Sequence, residues 1–251
     1  NENSFFQYGI DALLAIENAS SLLDEEEPLT SCFNRLDNLK KEEISPLYIR
    51  MTWNPENRFG GGAATSIGLK PDGKTLLHYL DGKGIAIDFS HASDPLATEI
   101  LNEIDRSGFN ISVIASHSNA RAVYDIPRNL PDFLIKEIVR RKGLIGINYV
   151  TRLLGEGKNP LMAAHIAHML SLGAEHTLAI GSDFFYSDDW AATLNIKPEE
   201  TFYSEYPTAA THQKVLKMVQ STLNLSKEQL ERFACGNVEQ FLERNEIFKA
   251  N

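Results

Sequence analysis

The sequence predicts an α/β fold built on a parallel sheet of barrel type, and three observations carry that expectation. Apolar runs short enough to be buried strands recur along the chain, separated by helix-like segments of about 12 to 15 residues, the spacing of βαβ units. At 251 residues, 43% hydrophobic and 23% charged, the chain can bury a large core, and one barrel domain over 1–251 is expected rather than two small domains. Three of the apolar runs also end in a side chain able to bind a metal or carry a proton, at the strand ends where parallel α/β proteins build their sites.

Taken in order, DALLAIENAS (residues 11–20) contains a short apolar run closing on Glu17, followed by the acidic patch LLDEEEP and a helical segment, CFNRLDNLKKEE. PLYIRMTWN is the next strand, bounded by Pro46 and by the loop NPENRFGGGAATSIG. The loop's Gly60, Gly61 and Gly62 suggest a phosphate cradle, but no Lys-Ser or Lys-Thr follows and no strand leads directly into them, so nucleotide binding is not expected. GKTLLHYLDGKG is helical and leads into GIAIDFSHASDPLA, a strand ending at His91. The helix PLATEILNEIDRSG precedes ISVIASHSNARAV, which ends at His117, and PDFLIKEIVRRKG precedes LIGINYV. PLMAAHIAHMLSLG leads to HTLAIGSDF, ending at Asp183; PTAATHQKVLKMVQ and SKEQLERFACGNVEQFLERN close the chain.

Charge and composition exclude several partners. The 24 basic residues against 34 acidic ones leave a net charge of −10, and the basic residues are scattered, so nucleic acid and anionic membrane surfaces are not expected. No apolar run approaches the roughly 18 residues of a membrane span, and FLERNEIFKAN is too polar for an anchor-addition signal. A soluble protein follows as the expectation, with the cytoplasm as its compartment and a secreted or periplasmic place left open. Cys32 and Cys235 are expected to be two reduced thiols without metal-ligand spacing. The chain starts Asn1-Glu2-Asn3, with neither an initiator methionine nor a signal peptide, so the natural polypeptide is expected to extend upstream.

Glu17, His91, His117 and Asp183 are the candidates for chemistry. Alone, each has an ordinary structural explanation: a hydrogen-bonded strand-end histidine or a helix-capping carboxylate. Together they are costly to bury without a shared cation, and a metal such as zinc needs imidazoles and carboxylates mounted on separate rigid elements. Asp183 is either a further ligand or a proton carrier. His165 and His168 lie three apart on an outer helix, His176 precedes its strand at the end opposite the site, and His78 and His212 sit on helices; none is expected to act.

With these residues in view, the chain resembles the membrane dipeptidase (renal dipeptidase) family of zinc peptidases, a branch of the amidohydrolase-type (β/α)8 barrels. AIENAS resembles the strand that carries its bridging glutamate, while IDFSHAS and IASHSNARAV resemble its two histidine strands. PRNLPD, GSDF and CGNVEQFLE resemble its Arg-Asn-x-Pro-Asp segment, Gly-x-Asp-Phe strand and closing Gly-Asn helix. The resemblance implies a TIM-type metal-dependent hydrolase that cleaves dipeptides with a zinc-bound hydroxide. Glu17 would bridge two zinc ions, His91 and His117 would complete one of them, Asp183 would handle the catalytic proton, and Arg128, Trp53 and Tyr149 would bind substrate. Arg128 would take the dipeptide carboxylate, since a guanidinium fork fits it bidentately.

Two departures stand beside the resemblance. Trp53 occupies the position where known members carry a histidine that helps hold the scissile carbonyl, and an indole cannot carry that charge. The family's first strand supplies a His-x-Asp pair to the second zinc, and no His-x-Asp occurs in this sequence. The first strand or strands of the barrel are therefore expected upstream, over about a hundred residues; without them one zinc or none is expected, and the open sheet edge would be covered by another copy of the chain. The alternatives are a catalytically impaired, dipeptidase-like binding protein, or a related barrel hydrolase acting on another amide, a lactone or a phosphoester.

Overall fold

The computed structural model describes residues 12–42, 44–155, 161–194 and 196–245. The expectations resting on the first three residues and on the polar C-terminal tail lie outside the described residues. Among the described residues, five parallel strands form one sheet in the order β1-β2-β3-β4-β5: β1 (Tyr48–Ile49), β2 (Ala86–Asp88), β3 (Val113–Ala115), β4 (Leu144–Ile147) and β5 (Leu178–Ile180). Ile16 adds a parallel bridge to Ile49, so the apolar run ending at Glu17 lies beside β1. The strands run in sequence order with all neighbours parallel, as expected of βαβ units; the Ile16 segment and β5 are its described edges, and the sheet is open rather than a closed barrel.

The helices are α1 (Leu29–Lys41), α2 (Pro71–Leu80), α3 (Asp94–Ser107), α4 (Asp132–Arg140), α5 (Thr151–Leu154), α6 (Met162–Ser171), α7 (Asp188–Leu194), α8 (His212–Leu223), α9 (Lys227–Glu231) and α10 (Asn237–Arg244). Helix α3 shows why its boundaries fall where they do. Ser93 accepts the backbone N–H of Leu96 as N-cap, Pro95 lies in the first turn, and Gly108 takes the left-handed conformation (φ 67°) that ends the helix. The closing segment SKEQLERFACGNVEQFLERN forms α9 and α10 joined by a π-helical turn, Arg232–Gly236.

The two faces of the sheet are separate apolar layers. Ile49, Ile87, Val113, Ile145 and Leu178 belong to the large core shared with α2, α3, α4, α6 and α8. The alternate residues Ala86, Ile114 and Leu144 face the other way and pack with Phe241 and Leu242 of α10. Asn237 at the start of α10 donates to the backbone carbonyls of Glu175 and Leu178, and Asn245 just beyond its end pairs with Ser112. Helix α10 therefore crosses beneath the N-terminal ends of the strands and leaves their C-terminal ends free for a site.

Candidate active site

Every candidate side chain but Trp53 and Arg128 leaves the backbone at or just past a strand's C-terminal end. Glu17 follows the Ile16 bridge, His91 follows β2, His117 follows β3, Tyr149 follows β4 and Asp183 follows β5. Ligand atoms of Glu17, His91 and His117 lie within 4.8 Å of one another. Two ligands of one zinc at 2.0–2.2 Å stand at most about 4.4 Å apart, so small torsional adjustments bring all three to one ion. One carboxylate and two imidazoles are a donor set that suits zinc or a similar divalent cation.

Both imidazoles are held neutral, as ligands must be. Burial is the main cause, pulling the His91 and His117 pKa values far below the usual imidazole range; the nearby Arg128 and Arg50 charges push the same way. Each ring also has its proton assigned by its partners. His91 Nδ1 lies 2.8 Å from the side-chain oxygen Oδ1 of Asn54, which only accepts, so the proton sits on Nδ1 and Nε2 is free. His117 Nδ1 lies 2.7 Å from Ser116 Oγ, which in turn donates to Asp88 Oδ2 at 2.6 Å. That relay from imidazole through hydroxyl to a buried carboxylate leaves His117 Nε2 as the lone pair facing the centre. The same carboxylate accepts the backbone N–H groups of Ser90 and Ser116, clamping β2 to β3 directly under the two histidines.

The glycine-rich loop supports this arrangement. Ala63 donates its N–H to the carbonyl of His91, and Ser93 donates to the carbonyl of Gly61. A Cβ on Gly62 would lie 1.9 Å from the Trp53 carbonyl, so glycine is required for the loop to close over the His91 segment. This close approach accounts for the glycine at 62. His91 itself has φ 71° and Asp183 φ 59°, left-handed conformations uncommon outside glycine and asparagine.

Asp183 is pushed up to about 6, chiefly by burial, while a hydrogen bond from Asn148 Nδ2 (3.0 Å) opposes the rise. Arg128 is half-buried, with its guanidinium turned inward. Its Nη2 is buried without a hydrogen-bond partner, and burial together with the Arg50 charge pulls its pKa down to about 10, leaving it cationic at neutral pH. A surface ion pair, the ordinary explanation for this arginine, is therefore not what holds it. Trp53 is 41% exposed and stacks on His91 with ring centroids 5.9 Å apart. Tyr149 is fully buried, with its hydroxyl unpaired, in edge contact with Phe184 and His212.

Two nearby residues were not anticipated. Arg50, 1% exposed, sends its guanidinium into the centre: Nη2 lies 2.7 Å from Glu17 Oε1, Nη1 lies 3.1 Å from His117 Nε2, and Nε donates to the Glu17 carbonyl. An arginine inside the apolar run LYIRM was the available signal. His212, set aside as helical, has a buried and unpaired Nε2 against Tyr149 and Phe184. His165 is a satisfied core residue: Nδ1 accepts from Ala120 N–H and Nε2 donates to the Leu154 carbonyl. His168 pairs with Asp132 at 2.8 Å. Cys32 is buried and Cys235 exposed, both as free thiols.

A family model described as membrane dipeptidase, peptidase family M19, matches residues 3–195. An uncharacterized protein of the pqqA 5′ region of Klebsiella pneumoniae is 29% identical over 147 residues, 53% of this chain and 52% of that protein. The chain spans about half the length of that relative, and less of a dipeptidase from Claviceps purpurea, 30% identical over 124 residues (47% of this chain, 27% of that one). Among solved structures, a metallopeptidase from Rhodobacter sphaeroides, crystallised with a phosphinate mimic of the dipeptide L-Ala-D-Ala, superposes with a TM-score of 0.67 at 21% identity. It covers 84% of this chain and 59% of the other.

Proposed function

The chain belongs to the membrane dipeptidase family, peptidase family M19, and from that premise we propose that it is a zinc-dependent dipeptidase. The observation that carries the reading is the convergence of Glu17, His91 and His117 from three strand ends, with both imidazoles neutral and the proton of each placed on Nδ1, away from the shared point. When bound there, zinc supplies Lewis acidity and an activated water.

The rest of the chemistry falls to the chain's own groups. Arg128 offers an unpaired, buried guanidinium nitrogen to a substrate carboxylate, which favours a substrate with a free carboxylate over a neutral one. Asp183, near 6, accepts a proton from the attacking water and returns it to the departing amine at neutral pH. Trp53 walls the exposed side, and Tyr149 with its unpaired hydroxyl lines the inner one. The proposed reaction breaks the peptide bond and adds water across it. The test is dipeptide hydrolysis by the purified native protein before and after chelation: activity lost with the metal and restored by zinc supports the reading, and hydrolysis that survives complete metal removal rejects it.

A second reading is favoured by Arg50, whose guanidinium already occupies lone pairs that a metal would use. It is a dipeptidase-like protein that binds the substrate with little turnover, and it predicts saturable dipeptide binding without hydrolysis in zinc-supplemented buffer.

A further inference from the structure

Arg50 sets a buried positive charge against two of the candidate ligands, Glu17 and His117. Its side chain is 2% exposed, and it is attached to the first residue after β1, whose backbone N–H donates to the Ile16 carbonyl and whose carbonyl accepts from Ala19. The guanidinium has little room to leave. Its Nε is tied to the Glu17 carbonyl at 2.5 Å, Nη2 reaches one oxygen of the Glu17 carboxylate, and Nη1 points at His117 Nε2. The relay through Ser116 to Asp88 keeps the His117 proton on Nδ1, so Nε2 can only accept; the donor it faces is Arg50. A carboxylate that bridges two cations uses both oxygens, and here one oxygen already faces a fixed positive charge.

We propose that Arg50 is a resident cation of this centre, holding the Glu17 and His117 donor atoms that a zinc would use, so that the site takes a single zinc in competition with the guanidinium. The inference rests on the metal-dependent reading above and specifies its stoichiometry. A divalent ion brought to Glu17 and His117 must displace the two Arg50 contacts and then remain beside an unscreened positive charge, which weakens binding. In return, the guanidinium supplies near the reacting carbonyl a positive charge that does not depend on metal supply.

The experiment measures zinc rather than turnover. Zinc affinity and stoichiometry are determined by equilibrium dialysis and calorimetry on the native protein, Arg50→Met and Arg50→Lys, with circular dichroism to verify folding. The native protein is expected to bind one zinc. Arg50→Met is expected to bind zinc about tenfold or more tightly, and Arg50→Lys, which keeps the charge but loses the fork, to fall between. Adding methylguanidinium to a folded Arg50→Ala protein should compete with zinc and weaken it again. Two zincs bound by the native protein at micromolar free zinc would overturn the inference without needing any variant. So would equal zinc affinity in native and Arg50→Met, and both outcomes leave the metal-dependent reading standing. Absence of zinc binding in the native protein and every folded variant overturns that reading and this inference together.

Discussion

Asn148 donates its side-chain amide to Asp183 Oδ2 at 3.0 Å, joining the ends of two neighbouring parallel strands through one carboxyl group. Burial raises the Asp183 pKa and this bond restrains the rise. Asn148→Ala removes the donor, so the acid form gains. The acidic limb of the kcat profile is expected to move to higher pH by about one unit, the equivalent of one lost hydrogen bond of 1–1.5 kcal/mol. A limb that stays in place would show that another group sets it.

The same burial has a stability consequence in the metal-free protein. Asp183 titrates near 6 when folded, above its ordinary 3.8, so between those values the folded state holds a proton that the unfolded state has released. Stability from this group is therefore present at low pH and falls as pH rises through the window from about 4 to about 6. Asp183→Asn should remove the fall and leave the chelated protein up to about 2–3 kcal/mol more stable than native at pH 7. Urea melts at pH 4.5 and pH 7 measure both quantities; a variant with the native pH dependence would refute the assignment.

Ser116 sits between His117 and Asp88, touching no expected ligand atom that faces the centre. Ser116→Ala leaves His117 Nδ1 without its partner and frees the ring to turn. Zinc affinity is expected to fall on the order of 10- to 100-fold. Competition against a chromogenic chelator reads this directly, and an unchanged affinity would mean that packing alone orients the ring.

Arg128→Ala should raise KM steeply for dipeptides while barely altering hydrolysis of the corresponding dipeptide amides, because only the former offer a carboxylate to the guanidinium. Parallel losses on both substrate types would assign Arg128 a structural part instead.

Most of the fold and the centre could be seen in the sequence because they depend on local signals. The strands ending near His91, His117 and Asp183 are apolar throughout, and the helices between them carry their own caps, as Ser93 and Gly108 do for α3. The length of the strands was less legible. LYIRMTW is continuous in character, yet only Tyr48–Ile49 pairs with β2, while the backbone of Arg50 bonds on the other side, to the Ile16 carbonyl and the Ala19 N–H. Arg50 escaped notice for a different reason: its place beside Glu17 and His117 rests on contacts with residues 33 and 67 positions away, which no periodicity records. Arg128 became meaningful only through the family resemblance, since the burial of its Nη2 is a product of packing.

The left-handed backbone at Asp183 joins two unfavourable circumstances in one residue: a conformation that costs an L-amino acid about 1 kcal/mol or more and a carboxyl group removed from water. A library of variants sorted only for cellular abundance would accordingly enrich glycine and asparagine at 183 over the native aspartate. Sorted for turnover, the same library would return to aspartate. A divergence of those two maps at this one codon would support the proton-carrying role proposed for Asp183.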